Sequence, residues 1–135
     1  MILVDTNVLI DVLGDDPQWV EWSLEQLRGQ SKIHDLAINA IVYAELSLAF
    51  EQLEEVDEAV TRLGLKLLEI PRAALFLAGK AFMSYRRAGG TRSNVLSDFF
   101  IGAHAAVEGV AILTRDARRY ASYFPNVELL IPATP

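Results

Sequence analysis

The 135-residue chain contains no cysteine and only two histidines, His34 and His104. The first absence excludes disulfides and thiolate metal centres and agrees with a reducing, cytoplasmic setting, the expected localisation. The second makes a histidine-rich zinc site implausible, so a metal held here would be held by oxygen. No apolar run approaches the ~18 residues of a bilayer-spanning helix, and no membrane association is expected. The N-terminus has neither the basic flank nor the small-residue cleavage site of a secretory signal. No serine or histidine sits in a nucleophile-elbow context, and no glycine loop of the phosphate-cradling kind occurs. Basic residues are scarce as well, twelve against eighteen acidic, a net charge of −6. Taken over the whole molecule, that balance disfavours nucleic acid.

The charge is unevenly spread. Residues 1–67 carry four basic and thirteen acidic side chains, whereas 68–135 carry eight and five. Six of the basic residues in the second half are Arg86, Arg87, Arg92, Arg115, Arg118 and Arg119. Arginine is the planar cation that matches phosphate, so an acidic protein with a basic groove is compatible with this pattern. Solvated helix faces would give the same pattern. With 52% hydrophobic residues the chain can bury a real core, and it is expected to form one domain over residues 1–135.

Periodicity divides the chain into alternating strands and helices. Ile2-Leu3-Val4 is a buried strand, and Val8 to Leu13 a short helix ended by Gly14. Asp15-Asp16-Pro17 reads as a cap opening a helix to about Arg28, whose Trp19 and Trp22 look exposed. Leu36-Ala37-Ile38 is a second strand, and Asn39 caps a helix from Ala40 to about Phe50. An acidic helix over 51–64 follows, then a possible strand from Leu65 to Ile70. Pro71 starts a long helix stopped by Gly89-Gly90, and Thr91 to Asn94 form a loop. Ser97 caps a helix to about Val107, ended by Gly109. Val110 to Leu113 is a strand, Asp116 to Tyr123 a short helix and Val127 to Ile131 a last strand. Such alternation implies parallel βαβ units in a three-layer α/β/α fold, its central sheet mostly parallel and of four to five strands.

Within this pattern four carboxylates keep unusual company. Asp5 terminates an apolar strand. Glu45 is the sole charge between Ala40 and Phe50, on a stripe with Ile41, Ala44 and Leu48. Asp98 is the sole charge between Val95 and Val107, just inside its helix. Asp116 follows the strand ending at Leu113. A carboxylate on an apolar surface needs a cation, a metal or several hydrogen bonds. Strand ends and the first turns of helices share one edge of a parallel sheet, so all four can face one cleft there. Converging carboxylates repel, and a hard divalent cation compensates them: Mg²⁺ or Mn²⁺ suits an all-oxygen set. Carboxylate-held Mg²⁺ is commonly completed by phosphate oxygens, which suggests phosphodiester hydrolysis by metal-activated water.

Each residue also has a plainer reading. Asp5, with Thr6 and Asn7, can cap the following helix; Asp98 can serve the helix dipole, and Asp116 can cap its short helix. Glu69 reads as the exposed face of an edge strand and Asp11 as solvent-facing. His104 lies about 240° round the helix from Asp98 and is expected to be a packed or hydrogen-bonded histidine.

Four segments carry a resemblance: Val4-Asp5-Thr6-Asn7-Val8-Leu9, Tyr43-Ala44-Glu45-Leu46, Asp98-Phe99-Phe100-Ile101-Gly102-Ala103-His104-Ala105 and Leu113-Thr114-Arg115-Asp116. In this order and spacing the chain resembles the PIN-domain family, and within it the VapC-type toxins of toxin–antitoxin pairs. The resemblance implies a PIN fold and a Mg²⁺- or Mn²⁺-dependent endoribonuclease. It carries catalytic roles to Asp5, Glu45, Asp98 and Asp116, with Asp5, Asp98 and Asp116 on the metal. Thr6, Asn7 and Thr114 become polar supports of the acidic pocket. It also implies a homodimer and a cognate antitoxin partner, for which the exposed-looking Trp19 and Trp22 and the apolar faces of the third and fifth helices are candidate surfaces. Arg86, Arg87, Arg92 and Arg115 are candidates for guiding an RNA substrate past the acidic cleft. Two other classes compete: a non-catalytic PIN-like binding module, and a haloacid-dehalogenase-type phosphatase. The latter wants a second aspartate where this chain has Asn7.

Overall fold

A computed structural model describes residues 1–92 and 95–133 of the chain. Five strands form the sheet: β1 (Ile2–Val4), β2 (Leu36–Asn39), β3 (Leu65–Leu68), β4 (Ala111–Leu113) and β5 (Leu129–Leu130). They lie in the order β3-β2-β1-β4-β5 and every pairing is parallel. The helices are α1 (Thr6–Leu13), α2 (Val20–Ser31), α3 (Ala40–Ser47), α4 (Leu53–Arg62), α5 (Arg72–Arg87), α6 (Leu96–Glu108) and α7 (Arg118–Tyr123). The three-layer α/β/α arrangement read from the sequence is therefore present, with an all-parallel rather than mostly parallel sheet.

Topology fixes where a ligand can bind. From β1 the chain steps to β2 and then β3 in one direction; from β3 it crosses back to β4 and continues to β5 in the other. Right-handed crossovers then put α1 to α4 on one face and α5 to α7 on the opposite face. The reversal falls between neighbouring β1 and β4, and the crevice beyond their carboxyl ends is the switch point of the sheet. Central β1 is buried at all three positions, which is why it reads as an unbroken apolar run rather than an alternating one.

Several boundaries differ from the sequence reading. The helix α2 starts at Val20, because the Asp16 carboxylate accepts from the backbone N–H of Gln18 and Trp19 and closes a turn first. Helix α3 stops at Ser47, and Ser97 does not cap α6, whose N-cap is Val95 without a side-chain cap. The expected loop Thr91 to Asn94 lies in part outside the described residues, at Ser93 and Asn94. Asn39 does cap α3, accepting from the N–H groups of Ile41 and Val42. Asn39 also donates to buried His104 Nδ1 at 3.1 Å, so His104 is the packed, hydrogen-bonded histidine expected, and burial holds its pKa down.

Two glycines on the return to β4 have distinct reasons. Gly109 caps α6 at φ 67°, a left-handed turn that a Cβ disfavours. Gly102 lies under the ring of Phe124: a Cβ there would come within 2.3 Å of it. That close approach lets α6 and the end of α7 pack, and overpacking of this kind costs about 1–3 kcal/mol.

Candidate functional site

Asp5 directly follows β1 and is the N-cap of α1, its Oδ1 accepting from Thr6 N–H at 2.7 Å. Its Oδ2 accepts from the hydroxyls of Thr114 and Tyr120, each at 2.9 Å. Only 6% of Asp5 is exposed, and among the described residues no Lys or Arg pairs with it. Burial pushes its pKa up to about 6; hydrogen bonds from Thr114 and Tyr120 oppose the rise, and the charge of Asp98 adds to it. A buried carboxylate with hydrogen bonds but no cation is the form the site takes at its centre.

Asp98 lies in the first turn of α6 and Asp116 in the loop after β4. Glu45 sits in the second turn of α3, not the first; there its Oε1 accepts from the Thr6 hydroxyl at 2.7 Å. Its supposed apolar stripe is not a packing face, since Leu48 is 89% exposed and the buried side of α3 is Val42 and Leu46. What draws Glu45 to the cleft is thus Thr6. Burial raises the Asp98 pKa, the Arg119 ion pair resists, and the charges of Glu45 and Asp116 add to the rise. Asp98 therefore senses both of those carboxylates as well as Asp5, and the four predicted acids share one electrostatic field.

The supporting residues form a connected set. Asn7 Nδ2 donates to Thr114 Oγ1 at 3.2 Å, and Asn7 Oδ1 accepts from Arg115 N–H. Thr6 and Asn7 are thus not caps, as the sequence suggested; Asp5 holds that position and they tie α1 to Glu45 and to the β4–α7 loop. Arg115, expected to guide RNA, is paired with an acid of the fold. Its Nε and Nη2 donate to Asp11, which is 1% exposed and also accepts from Ser23. Asp11 is accordingly a buried anchor rather than a solvent-facing acid. Trp19, expected to be exposed, is half-buried with the Arg115 guanidinium 5.5 Å from its ring and Trp22 packed edge-on. Arg86, Arg87 and Arg92 are exposed, and among the described residues none is paired with a carboxylate. Glu69 is exposed beside edge strand β3, as read.

Three participants escaped the sequence reading of the site. Tyr120 is fully buried on α7, its hydroxyl on Asp5 and its pKa driven well up by burial and by the neighbouring acids. Arg119 Nη1 donates to Asp98 Oδ2 at 3.0 Å. Arg118 makes a two-pronged contact to Asp116, whose pKa it lowers. The only available signal was adjacency, since all three follow Asp116 within four positions.

The donor set suits a hard divalent cation: every ligand atom is oxygen, and Asp5 carries buried negative charge that no side chain neutralises. Among the described residues, however, no three acidic or histidine side chains stand placed to hold an ion together, so Asp98 and Asp116 would have to leave their arginine partners to do so.

The matching family model is the PIN domain, over residues 2–124. The chain belongs to the PIN-domain family. No curated protein sequence matches it. Among solved structures, the PIN fold seen here is similar to VapBC2 from Rickettsia felis bound to a promoter DNA fragment, at TM-score 0.75 and 21% identity over 98% of this chain and 100% of that one. It is also similar to DNA-bound VapBC from Salmonella typhimurium (TM-score 0.69, 21% identity, 96% of each chain) and to FitAcB from Neisseria gonorrhoeae (TM-score 0.68, 22% identity, 96% of each chain).

A stability prediction follows for this PIN domain without metal. The Asp5 pKa is raised from 3.8 to about 6 by folding, so its contribution is fully present below pH 3.8 and is lost as pH rises through 6. The loss amounts to at most about 3 kcal/mol. Asp98 acts in the same direction and the largely exposed Asp116 in the opposite one. Buried His104, whose pKa is lowered, acts in the opposite direction over the same range. Urea denaturation in chelator should therefore show a change in stability from pH 5 to pH 7 that is less favourable in the wild type than in Asp5→Asn. The same change in both would contradict the burial of an unneutralised Asp5.

Proposed function

We propose that this protein is a Mg²⁺- or Mn²⁺-dependent endoribonuclease and the toxin component of a toxin–antitoxin pair. The observation that carries the reading is the buried, cation-free Asp5 at the switch point of the sheet, in one field with Asp98, Glu45 and Asp116. Asp5, Asp98 and Asp116 would hold the ion, and Glu45, steadied by the Thr6 hydroxyl, would complete the acidic pocket. A bound divalent ion would lower the pKa of water to give a nucleophile and offset charge on the phosphate oxygens. Thr114, Tyr120 and Thr6 N–H hold the Asp5 carboxylate in one orientation, which keeps its ligand geometry preorganised.

The toxin assignment rests on likeness to the VapBC and FitAcB structures. By the family resemblance of its motifs an antitoxin would cover the acidic cleft and the protein would be a homodimer, and the lack of cysteine agrees with a cytoplasmic setting. Exposed Leu48 on α3 and Phe76 on α5 are available for those contacts. No helix among the described residues is long and apolar enough to cross a membrane. The phosphatase alternative fits poorly: both ends of the Asn7 amide are occupied, by Thr114 and by Arg115 N–H, leaving no group there for acid–base work.

Incubating the purified protein with single-stranded RNA across a Mn²⁺ titration tests the assignment. Cleavage should rise with metal and vanish in excess chelator. Metal binding with intact RNA at every concentration would leave the binding-module reading in its place.

A further inference from the structure

Beside the acid cluster lies an open pocket of about 220 Å³ lined by Tyr85, Arg118, Arg119, Ser122 and Tyr123. Its two arginines are the ones that touch Asp98 and Asp116, so the pocket begins where the acidic site ends. We propose that this pocket is the subsite for the phosphate and sugar of the nucleotide next to the cleaved bond, with Arg118 and Arg119 as its phosphate contacts. The inference rests on the ribonuclease reading and adds to it the residues that hold the substrate.

The residue types suit that ligand. Two arginines lining one pocket offer forked donors to phosphate oxygens. The Ser122 hydroxyl, which donates to Arg118 O, keeps acceptor capacity for a ribose hydroxyl. Tyr123 is half-buried against Phe99 and gives the pocket an aromatic wall suited to a base or sugar edge. The Arg119 guanidinium stands 5.8 Å over the Tyr85 ring, which fixes its position from below.

Arg118 is also free to change partners. The Arg118 side chain is 82% exposed, and its pair with Asp116 is a solvent-screened surface pair of the kind that contributes little to stability. Such a pair is exchanged for a phosphate oxygen at little cost. Of the arginines read from the sequence as RNA contacts, Arg115 is committed to Asp11 and Arg86 stands 5.5 Å over Phe82, while the Arg92 backbone N–H donates to the Tyr85 hydroxyl at the wall of this pocket. At the mouth of an acidic site, Arg118 and Arg119 are the cations placed to offset repulsion of an RNA backbone.

The test is fluorescence anisotropy of a labelled six-nucleotide single-stranded RNA, titrated in Ca²⁺ at several salt concentrations, with the oligomer checked on a gel for intactness. If Ca²⁺ supports cutting, the KM for the same oligomer replaces the Kd. Arg118→Ala, at an exposed position where folding is unaffected, should weaken binding about tenfold. It should also reduce the slope of log K against log salt by about 0.7, the value for one phosphate contact to a single strand. Arg119→Lys, which keeps a counter-ion for Asp98, should weaken binding less, and Arg28→Ala on α2 should change neither quantity. Unchanged affinity and salt slope in both pocket variants, or no RNA binding by the wild-type protein, would overturn the subsite. If the wild type cuts RNA and both pocket variants cut with the same KM, the subsite fails and the nuclease stands. If RNA binding depends on Arg118 while no Mn²⁺-dependent product forms, the subsite stands and the nuclease fails.

Discussion

Asp5→Asn and Asp98→Asn are each expected to lower metal-dependent RNA cleavage by at least about a hundredfold, with the fold retained. The reason differs between the two. Asp5 is buried with no cation of its own, so its charge is the part of the site most dependent on an added ion. An amide in its place removes that charge and points an N–H₂ at hydroxyls now arranged to donate to Oδ2. Asp98 instead carries Arg119 as a standing counter-ion, and its amide variant would free that guanidinium. Asp5→Asn should therefore show weaker Mn²⁺ binding by calorimetry together with a more favourable change in chelator stability from pH 5 to pH 7. Wild-type cleavage rates in both variants would remove the basis for a carboxylate-held metal site.

Arg115→Ala is expected to cost toward the lower end of about 3–5 kcal/mol in folding stability, although Arg115 lies next to a site residue and its side chain is 30% exposed. The cost lies on Asp11, which would be left inside the protein with Ser23 as its remaining hydrogen-bond partner. An isolated buried carboxylate carries the full desolvation penalty, whereas an apolar pair of similar size carries none. Asp11→Leu combined with Arg115→Met should thus recover most of the lost stability in urea denaturation. Equal midpoints for Arg115→Ala and wild type would show that Asp11 is not held by this pair. The Arg115 backbone N–H that donates to Asn7 is retained in the single variant.

Much of the site was visible before folding because its members are chemically out of place. Asp5 after Ile2-Leu3-Val4, and Asp98 alone in an apolar helix, stand out in any one-dimensional reading, since desolvating a carboxylate is costly wherever it occurs. Glu45 was singled out on a wrong premise. The stripe it shares with Ala44 and Leu48 faces solvent, and a hydrogen bond from Thr6, 39 positions away, brings it to the cleft. Asp11 failed for the converse reason: in a short helix its surroundings look ordinary, and only α2 and the β4–α7 loop packing over it make it buried. The capping roles of Thr6 and Asn7 failed because one residue, Asp5, takes both the cap and the strand end.

By itself the sequence determined the alternation of strands and helices, the α/β class and the edge on which the acids gather. Those properties follow from local periodicity and from the direction in which a parallel strand delivers its last residue. Only the tertiary structure decided which arginines stand at the site, because ion pairs such as Arg119 with Asp98 and Arg115 with Asp11 join residues 21 and 104 positions apart. Charge pairing over such separations depends on which elements pack together, and no local pattern encodes it.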